Sequence, residues 1–294
     1  TAGFDAPSAA DEREQAAALA RAVGAKHEAI EVTEKMVWQH LPDIVAAMDD
    51  PTADYAIIPS WFLARRARQD VKVVLTGEGG DEIFGGYKRY RQAMLPWWRG
   101  GRAMWAGGNF DRVPVLRNRP ATWRDGMAAA ETRAAEGGRS RLAAAQALDM
   151  TDWLPHDLLL KLDRCMMAHA VEGRFPFLDH RVVEFAARIP PRMKLKGLRE
   201  KHILRAALGR HLPRAVVERP KQPYRSPDSE SFAAGASPQV EEALSHGALS
   251  HAGYFDPAAV QRLAAKCRSG APIGAADNMA FVGVLSTQLL HAQF

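Results

Sequence analysis

The stretch TGEGGDE at residues 76–82 alternates glycines with carboxylates and is the part of the sequence best suited to chemistry. It directly follows VKVVL at 71–75, a β-branched and aliphatic run typical of a buried strand in a parallel sheet. Glycines after such a strand let the backbone turn tightly and approach a bound group. Three acids beside that turn would repel a phosphate unless a divalent cation lay between them. The stretch therefore suggests a metal–nucleotide site, with an acidic turn leading into a helix as the simpler alternative.

The positive charge of the chain is concentrated in one block. The formal net charge is +5, and residues 181–225 hold 13 Lys and Arg against 3 Asp and Glu. Such a block can serve a nucleic acid, a polyanionic small ligand or only a solvated surface. Tyr224 is the only aromatic residue of the block after Phe185. Because single-strand binders stack bases on interleaved aromatic rings, this scarcity weighs against nucleic acid.

The elements that would position these residues alternate between strand and helix. The predicted order is an opening strand ending at Phe4, a helix over 11–23, a strand over 27–32, a helix over 34–48 capped by Thr33, a helix over 57–69 and the strand at 71–75. This alternation predicts an α/β fold with a doubly wound parallel sheet. We assign the sheet to residues 1–95 and a mainly helical part of the same domain to 96–294, with helices predicted from Pro155 to about Ala170 and over 199–210.

Composition narrows the class of protein further. With 294 residues, 47% of them hydrophobic, the chain can fill a sizeable core. No apolar run approaches the roughly 18 residues of a membrane span, so no membrane role is expected. Cys165 and Cys267 are too few for a disulfide framework, which predicts a reducing, cytoplasmic setting. The opening Thr1 and the strand-like residues after it predict a fragment or a processed chain.

Four stretches resemble the C-terminal synthetase domain of the class B, glutamine-dependent asparagine synthases, in the same order. They are TGEGGDEIFGGYKRY at 76–90, LPHDLLLKLDRCMMAHAVEGRFPFLDHRVVEFA at 154–186, EKHILRAAL at 200–208 and LPRAVVERPKQPYRSP at 212–227. The resemblance implies an adenine nucleotide alpha-hydrolase-like, Rossmann-like fold. It also implies a ligase that uses ATP and Mg²⁺ to adenylate the side-chain carboxylate of aspartate. Pyrophosphate would leave in that step, and ammonia from glutamine would then displace AMP to give asparagine.

The same resemblance implies roles for individual residues. Glu78 would form and hold the aspartyl-AMP intermediate, Asp81 would bind magnesium, and Lys201 would stabilise the departing pyrophosphate. The remaining nucleotide- or substrate-binding candidates are Ala2, Thr76, Gly77, Gly79, Gly80, Tyr87, Glu172, Arg174 and Lys221. For Glu172 and Arg174, an internal ion-pair network is an equally good interpretation. The basic block would then carry charge for ATP and pyrophosphate.

One family feature is absent from this sequence, namely the Ser-Gly-Gly-x-Asp-Ser loop that grips pyrophosphate. We expect it, and a glutaminase domain, upstream of Thr1; the metal site of this chain should then be incomplete and the chain alone inactive. A homodimer is compatible with the resemblance. Two alternatives stay open: a related enzyme, such as a β-lactam synthetase, that acts on another carboxylate, and a non-catalytic fragment that binds a partner or nucleic acid through the basic block.

Overall fold

Four short parallel strands form two separate pairs in the computed structural model, which describes residues 1–4, 12–99, 101, 109–197, 199–219, 237–269 and 273–294. Strand β1 (Ala2–Phe4) pairs with β2 (Ile30–Val32), and β3 (Val73–Leu75) pairs with β4 (Glu172–Arg174). The prediction of an α/β fold with parallel strands is therefore confirmed. A continuous doubly wound sheet is not present among the described residues.

The predicted burial of the strand at 71–75 is wrong. Val73 is 43% exposed and Leu75 is 70% exposed, and only Val74 packs against a neighbouring apolar cluster. The physical reason is that Val73 and Leu75 point to the face of the strand opposite Val74, and their exposure shows that no described element covers that face. A β-branched run indicates a strand, but burial depends on the elements that cover it.

The amino-terminal helices follow the prediction closely. They are α1 (Arg13–Ala22), α2 (Glu34–Met48) and α3 (Ile57–Ala67). The start of α2 is the one predicted, because the Thr33 hydroxyl accepts a hydrogen bond from the backbone N–H of Met36 at 3.3 Å. The end of α2 is also determined by local conformation, since Asp49, which follows the helix, adopts a left-handed backbone with φ of 50°.

The described chain after β3 is helical except for β4 and short irregular segments. The α-helices are α4 (Gly80–Phe84), α5 (Lys88–Met94), α6 (Asp125–Ala135), α7 (Arg141–Leu148), α8 (Leu160–Met167), α9 (His180–Arg188), α10 (Pro191–Lys194), α11 (His202–Leu208), α12 (Arg214–Glu218), α13 (Pro238–Ala243), α14 (His246–Ala252), α15 (Pro257–Arg268) and α16 (Ala275–His291). Short 3₁₀ turns lie at Trp97–Arg99, Asn109–Asp111 and Pro176–Leu178. Within the described ranges, no helix has both the length and the apolar character to cross a membrane.

Two helix predictions need correction. Pro155 does not begin a helix, because it lies inside a π-helical segment, Asp149–Leu159, that joins α7 to α8. The wider turn is consistent with proline, which lacks the N–H that an α-helix would use. The helix predicted over 199–210 is shorter than expected, since Lys201 at its start has a left-handed backbone.

The apolar residues form one large core and several small clusters. The large core joins α2 and α3 to α13–α16. A second cluster packs Val74 of β3 against Ala64 of α3 and Leu162 of α8. A third cluster packs Ile83 of α4 against α9, with Ile203 of α11 on its border. This third cluster holds α4 and α11 beside each other, and both carry residues of the candidate site.

Truncation of Ile83 is expected to destabilise the fold. The side chain is 4% exposed at the centre of the third cluster, so Ile83→Ala should lower the free energy of unfolding by about 2–5 kcal/mol. Val23→Ala is the matched control. Because Val23 is 53% exposed, this substitution should lower the free energy of unfolding by less than about 0.5 kcal/mol. Equilibrium urea unfolding measures both. Equal losses in the two variants would contradict the assigned packing.

Candidate functional site

The glycine- and carboxylate-rich loop begins where β3 ends and lies beside β4. The backbone N–H of Thr76 donates to the carbonyl oxygen of Arg174 at 2.9 Å. Gly79 then turns the chain with φ of +87°, a conformation that favours glycine. A Cβ at Gly79 would lie 2.2 Å from Cδ2 of Leu178. The turn therefore needs glycine both for its backbone and for the close packing of the 176–178 segment.

The structure brings the predicted metal ligand and the predicted catalytic lysine together. Nζ of Lys201 lies 3.1 Å from Oδ1 of Asp81, and both side chains are about one-quarter exposed. Lys201 caps α11 with φ of 50°, and its backbone N–H donates to the carbonyl oxygen of Gly85 at 3.4 Å. A cation at a helix N-terminus opposes the helix dipole. The carboxylate of Asp81 supplies the anion that offsets this charge.

A second charged group lies near the third predicted residue, Glu78. Nζ of Lys161 is 2.5 Å from Oδ2 of Asp54. Burial acts most strongly and lowers the pKa of Lys161, but the charge and hydrogen bond of Asp54, together with other nearby carboxylates, leave the pKa raised. The negative charges of Asp157 and Glu78 add to that increase. Glu78 therefore belongs to an electrostatic cluster with a buried lysine and two aspartates.

Asp157 was not among the residues selected from the sequence. It accepts a hydrogen bond from Nε1 of Trp153 at 2.7 Å. Burial raises the pKa of its carboxyl, and the negative charge of Asp54 acts in the same direction. Asp157 lies within the second resembling stretch, 154–186, but its sequence context is that of an ordinary polar residue in a helix.

The raised pKa of Asp157 predicts a pH-dependent difference in stability. Because the folded carboxyl binds its proton more tightly than the unfolded one, the folded state loses stability as the pH rises from about 4, the unfolded pKa, through the folded pKa. Asp157→Asn removes this titration and keeps an oxygen for Trp153. As the pH rises, we expect the free energy of unfolding of the variant to increase relative to that of the wild type. Urea unfolding across this pH range measures the difference. A variant that becomes relatively more stable as the pH falls would contradict the assignment.

The hydroxyl of Tyr87 is engaged within the protein. It donates to Oε1 of Glu82 at 2.5 Å, and Glu82 itself is 1% exposed. Burial raises the pKa of the Glu82 carboxyl, and burial together with the charge of Glu82 raises that of Tyr87. The nucleotide-binding role of Tyr87 stays a prediction, while its structural contact is with the helix that carries Asp81.

The other predicted residues lie on β4, in the β1–β2 sheet and in the glycine-rich turn, apart from one outside the described residues. Glu172 and Arg174 pair with each other at 3.0 Å on β4, with side chains 58% and 62% exposed. Ala2 lies in the other sheet, opposite Ile30. Lys221 is outside the described residues. Gly77 faces open space, whereas Gly80 lies against the ring of Phe177 at 3.2 Å.

The donor atoms at the site suit a divalent cation only in part. Within the described ranges, no group of three or more His, Cys, Asp or Glu side chains is arranged to hold a metal ion. Magnesium usually takes one or two carboxylates together with substrate phosphates. Asp81, a hard oxygen ligand beside the glycine-rich turn, fits as one such carboxylate.

Comparison with known proteins places these residues in a family context. Residues 1–292 match the family described as asparagine synthase. A putative glutamine-hydrolysing asparagine synthetase of Mycobacterium tuberculosis is 33% identical over 92% of this chain and 47% of its own length. Glutamine-hydrolysing asparagine synthetase 1 of Bacillus subtilis is 29% identical over 71% of this chain and 39% of its own. Amidase chry2 of Gibberella zeae is 26% identical over 89% and 48%. The chain spans about half, or less, of the length of these relatives.

Proposed function

Because this chain belongs to the asparagine synthase family, we propose that it is the synthetase part of an ATP-dependent, amide-forming ligase. Its substrates would be ATP, aspartate and ammonia released from glutamine, and its products asparagine, AMP and pyrophosphate. The observation that carries this proposal is the 3.1 Å contact between Lys201 and Asp81 at the end of β3. It joins a cation suited to pyrophosphate with a carboxylate suited to magnesium, beside a backbone turn that can approach phosphates.

In the proposed mechanism the protein mainly binds charge and orients the reactants. Lys201 would bind the pyrophosphate that leaves when the aspartate carboxylate attacks the α-phosphorus of ATP. Glu78 would hold the aspartyl-AMP while ammonia attacks the acyl carbon and AMP departs. Lys161, which interacts electrostatically with Glu78, would place a positive charge beside it. Magnesium, when bound through Asp81, would supply further positive charge at the phosphate oxygens.

The proposed setting follows from the same family membership. We propose that residues 1–294 act as a single synthetase domain, with a glutaminase domain on the same or a neighbouring chain as the source of ammonia. Both cysteines are buried free thiols, which supports a reducing cytoplasm. A continuous doubly wound sheet is also proposed, supported by the two parallel pairs and by the exposed apolar residues of β3. A homodimer is proposed from the resemblance alone.

The deciding experiment uses the chain extended upstream by the phosphate-loop segment that the resemblance implies, which we call the extended chain. ATP, magnesium, ammonium and aspartate are supplied, and pyrophosphate and asparagine are measured. Asparagine that forms with the extended chain and is lost in Glu78→Ala would support the proposal. The 294-residue chain alone should produce no steady AMP, and turnover by it would contradict the expected need for the loop.

The same experiment tests the alternative of a related enzyme that acts on another carboxylate. If pyrophosphate release required a carboxylic acid other than aspartate, the adenylation chemistry would stand and the substrate assignment would fail. If no acid supported ATP turnover, the ligase proposal itself would fail. Salt-dependent retention of nucleic acid would then test the binding role of the basic block.

A further inference from the structure

We propose that Arg89 is a positioning residue that holds helix α4, and thereby Asp81, in place through Tyr87 and Glu82. The inference rests on the proposed function only in assigning Asp81 a role toward magnesium. The contacts that connect these residues are independent of that role. Arg89 itself lies on α5, outside the residues that the glycine-rich turn contributes.

The guanidinium of Arg89 is held between two aromatic rings and a buried carboxylate. Its central carbon lies 3.9 Å from the ring centre of Tyr87 and 4.0 Å from that of Trp153. Its Nη2 donates to Oδ2 of Asp149 at 2.7 Å, and Asp149 is 0% exposed. Tyr90, also fully buried, donates its hydroxyl to the same oxygen at 2.5 Å. Asp149 therefore anchors Arg89 to the first turn of the π-helical segment.

The Tyr87 ring passes this constraint to the turn that carries Asp81. Held against Arg89, its hydroxyl reaches Oε1 of Glu82 at 2.5 Å. Glu82 is 1% exposed, and its backbone carbonyl accepts a further hydrogen bond from the Gln146 side chain. Because Asp81 precedes Glu82 in a helix of only five residues, holding the Glu82 side chain restricts the orientation of that helix and so the position from which the Asp81 side chain projects. The path from Asp149 to Asp81 thus runs through contacts between neighbouring side chains.

The arrangement requires arginine rather than a cation alone. A planar guanidinium can stack on two ring faces and still donate along its edge, whereas an ammonium is a compact point charge. Arg89→Lys can keep the ion pair with Asp149 and loses the double stacking on Tyr87 and Trp153. This variant separates the positioning role from the simple neutralisation of a buried carboxylate.

Hydrogen exchange of the 294-residue chain tests the coupling without any turnover. The reporters are the backbone amides of Ile83 and Gly86, which donate to the carbonyl oxygens of Gly79 and Asp81. Arg89→Lys should speed exchange at these amides about tenfold, with the melting temperature and the exchange of α15 and α16 unchanged. Tyr87→Phe, which removes only the bond to Glu82, should give the same local increase. The double variant should add nothing further, since both changes break one path.

Arg119→Lys is the matched control. Arg119 also stacks on a tryptophan, at 4.3 Å from the ring centre of Trp123, and also pairs with an aspartate, Asp111. The Arg119→Lys variant should leave the exchange of the Ile83 and Gly86 amides unchanged. Unchanged exchange in Arg89→Lys, or faster exchange throughout the protein, would overturn the proposal.

The magnesium requirement of the extended chain gives a second measurement. Arg89→Lys should raise the magnesium concentration for half-maximal pyrophosphate release about tenfold, with the maximal rate recovered at high magnesium. A lower maximal rate with an unchanged magnesium requirement would overturn the link to Asp81. If no variant, wild type included, turns over ATP, the proposed function fails, and the exchange data still decide whether Arg89 controls α4.

Discussion

Lys201→Met is expected to lower the rate of pyrophosphate release by the extended chain by about 100- to 1,000-fold. That is the usual effect of removing one preorganised charge or donor from a group that develops negative charge. The ammonium of Lys201 is held 3.1 Å from Asp81, at the start of a helix where a cation is otherwise unfavourable. Methionine keeps the length and apolar stem of the side chain, so the loss isolates the charge.

The stability of Lys201→Met should fall only modestly compared with its turnover, which separates this prediction from misfolding. The pair with Asp81 is only about one-quarter exposed, so its loss should exceed the roughly 0–1 kcal/mol of a solvent-exposed pair and cost about 1–3 kcal/mol. Lys266→Met is the matched control, because Lys266 pairs with Asp277 at 2.9 Å on the surface of α15. Single-turnover pyrophosphate release and a melting curve check both variants. Near-normal release by Lys201→Met would remove Lys201 from the proposed mechanism.

Local sequence was sufficient for elements whose ends depend on neighbouring residues. The boundaries of α2 follow from the Thr33 cap and the apolar stripe, and both predicted ends agree with the structure. Burial of β3 was not predictable in this way, because the exposure of Val73 and Leu75 depends on which elements from elsewhere in the chain cover that face of the strand. Strand β4 was missed for the same reason, since only pairing with β3 makes the polar Glu172–Arg174 segment a strand.

The candidate site likewise contains residues that the sequence identified and residues that only long-range packing reveals. Asp81 and Lys201 were identified because the motifs around them resemble a known family, and the structure places them in contact. Asp157 and Arg89 lie in resembling stretches too, but the resemblance implied no role for them, because their importance comes from burial and from partners far along the chain. No periodicity or motif indicates that Arg89 would be stacked on Trp153, 64 positions later. Long-range packing therefore supplies the part of the site that sequence patterns do not contain.

Gly86→Ala is the second substitution with a large expected effect, and its reason is also long-range packing. A Cβ at this position would lie 1.8 Å from Oδ1 of Asp81 and 2.3 Å from Cε of Lys201. Neither distance is tolerable, so the two side chains must move apart or the turn must shift. Since both groups would face the phosphates, we expect the rate of pyrophosphate release by the extended chain to fall about 100-fold, as misplacements of about 1 Å can cause.

Gly126→Ala is the control that separates this steric effect from the general cost of losing a glycine. Gly126 lies in α6, and a Cβ there has no heavy atom within 4 Å. Alanine should stabilise that helix by up to about 1 kcal/mol and leave turnover unchanged. In Gly86→Ala the clashing atoms lie toward the ends of two side chains, Asp81 and Lys201, and both are partly exposed, so they can turn away at limited cost in stability. Activity should therefore fall far more than the melting temperature, and a proportionate loss of both would mean that Gly86 maintains the fold rather than the spacing of Asp81 and Lys201.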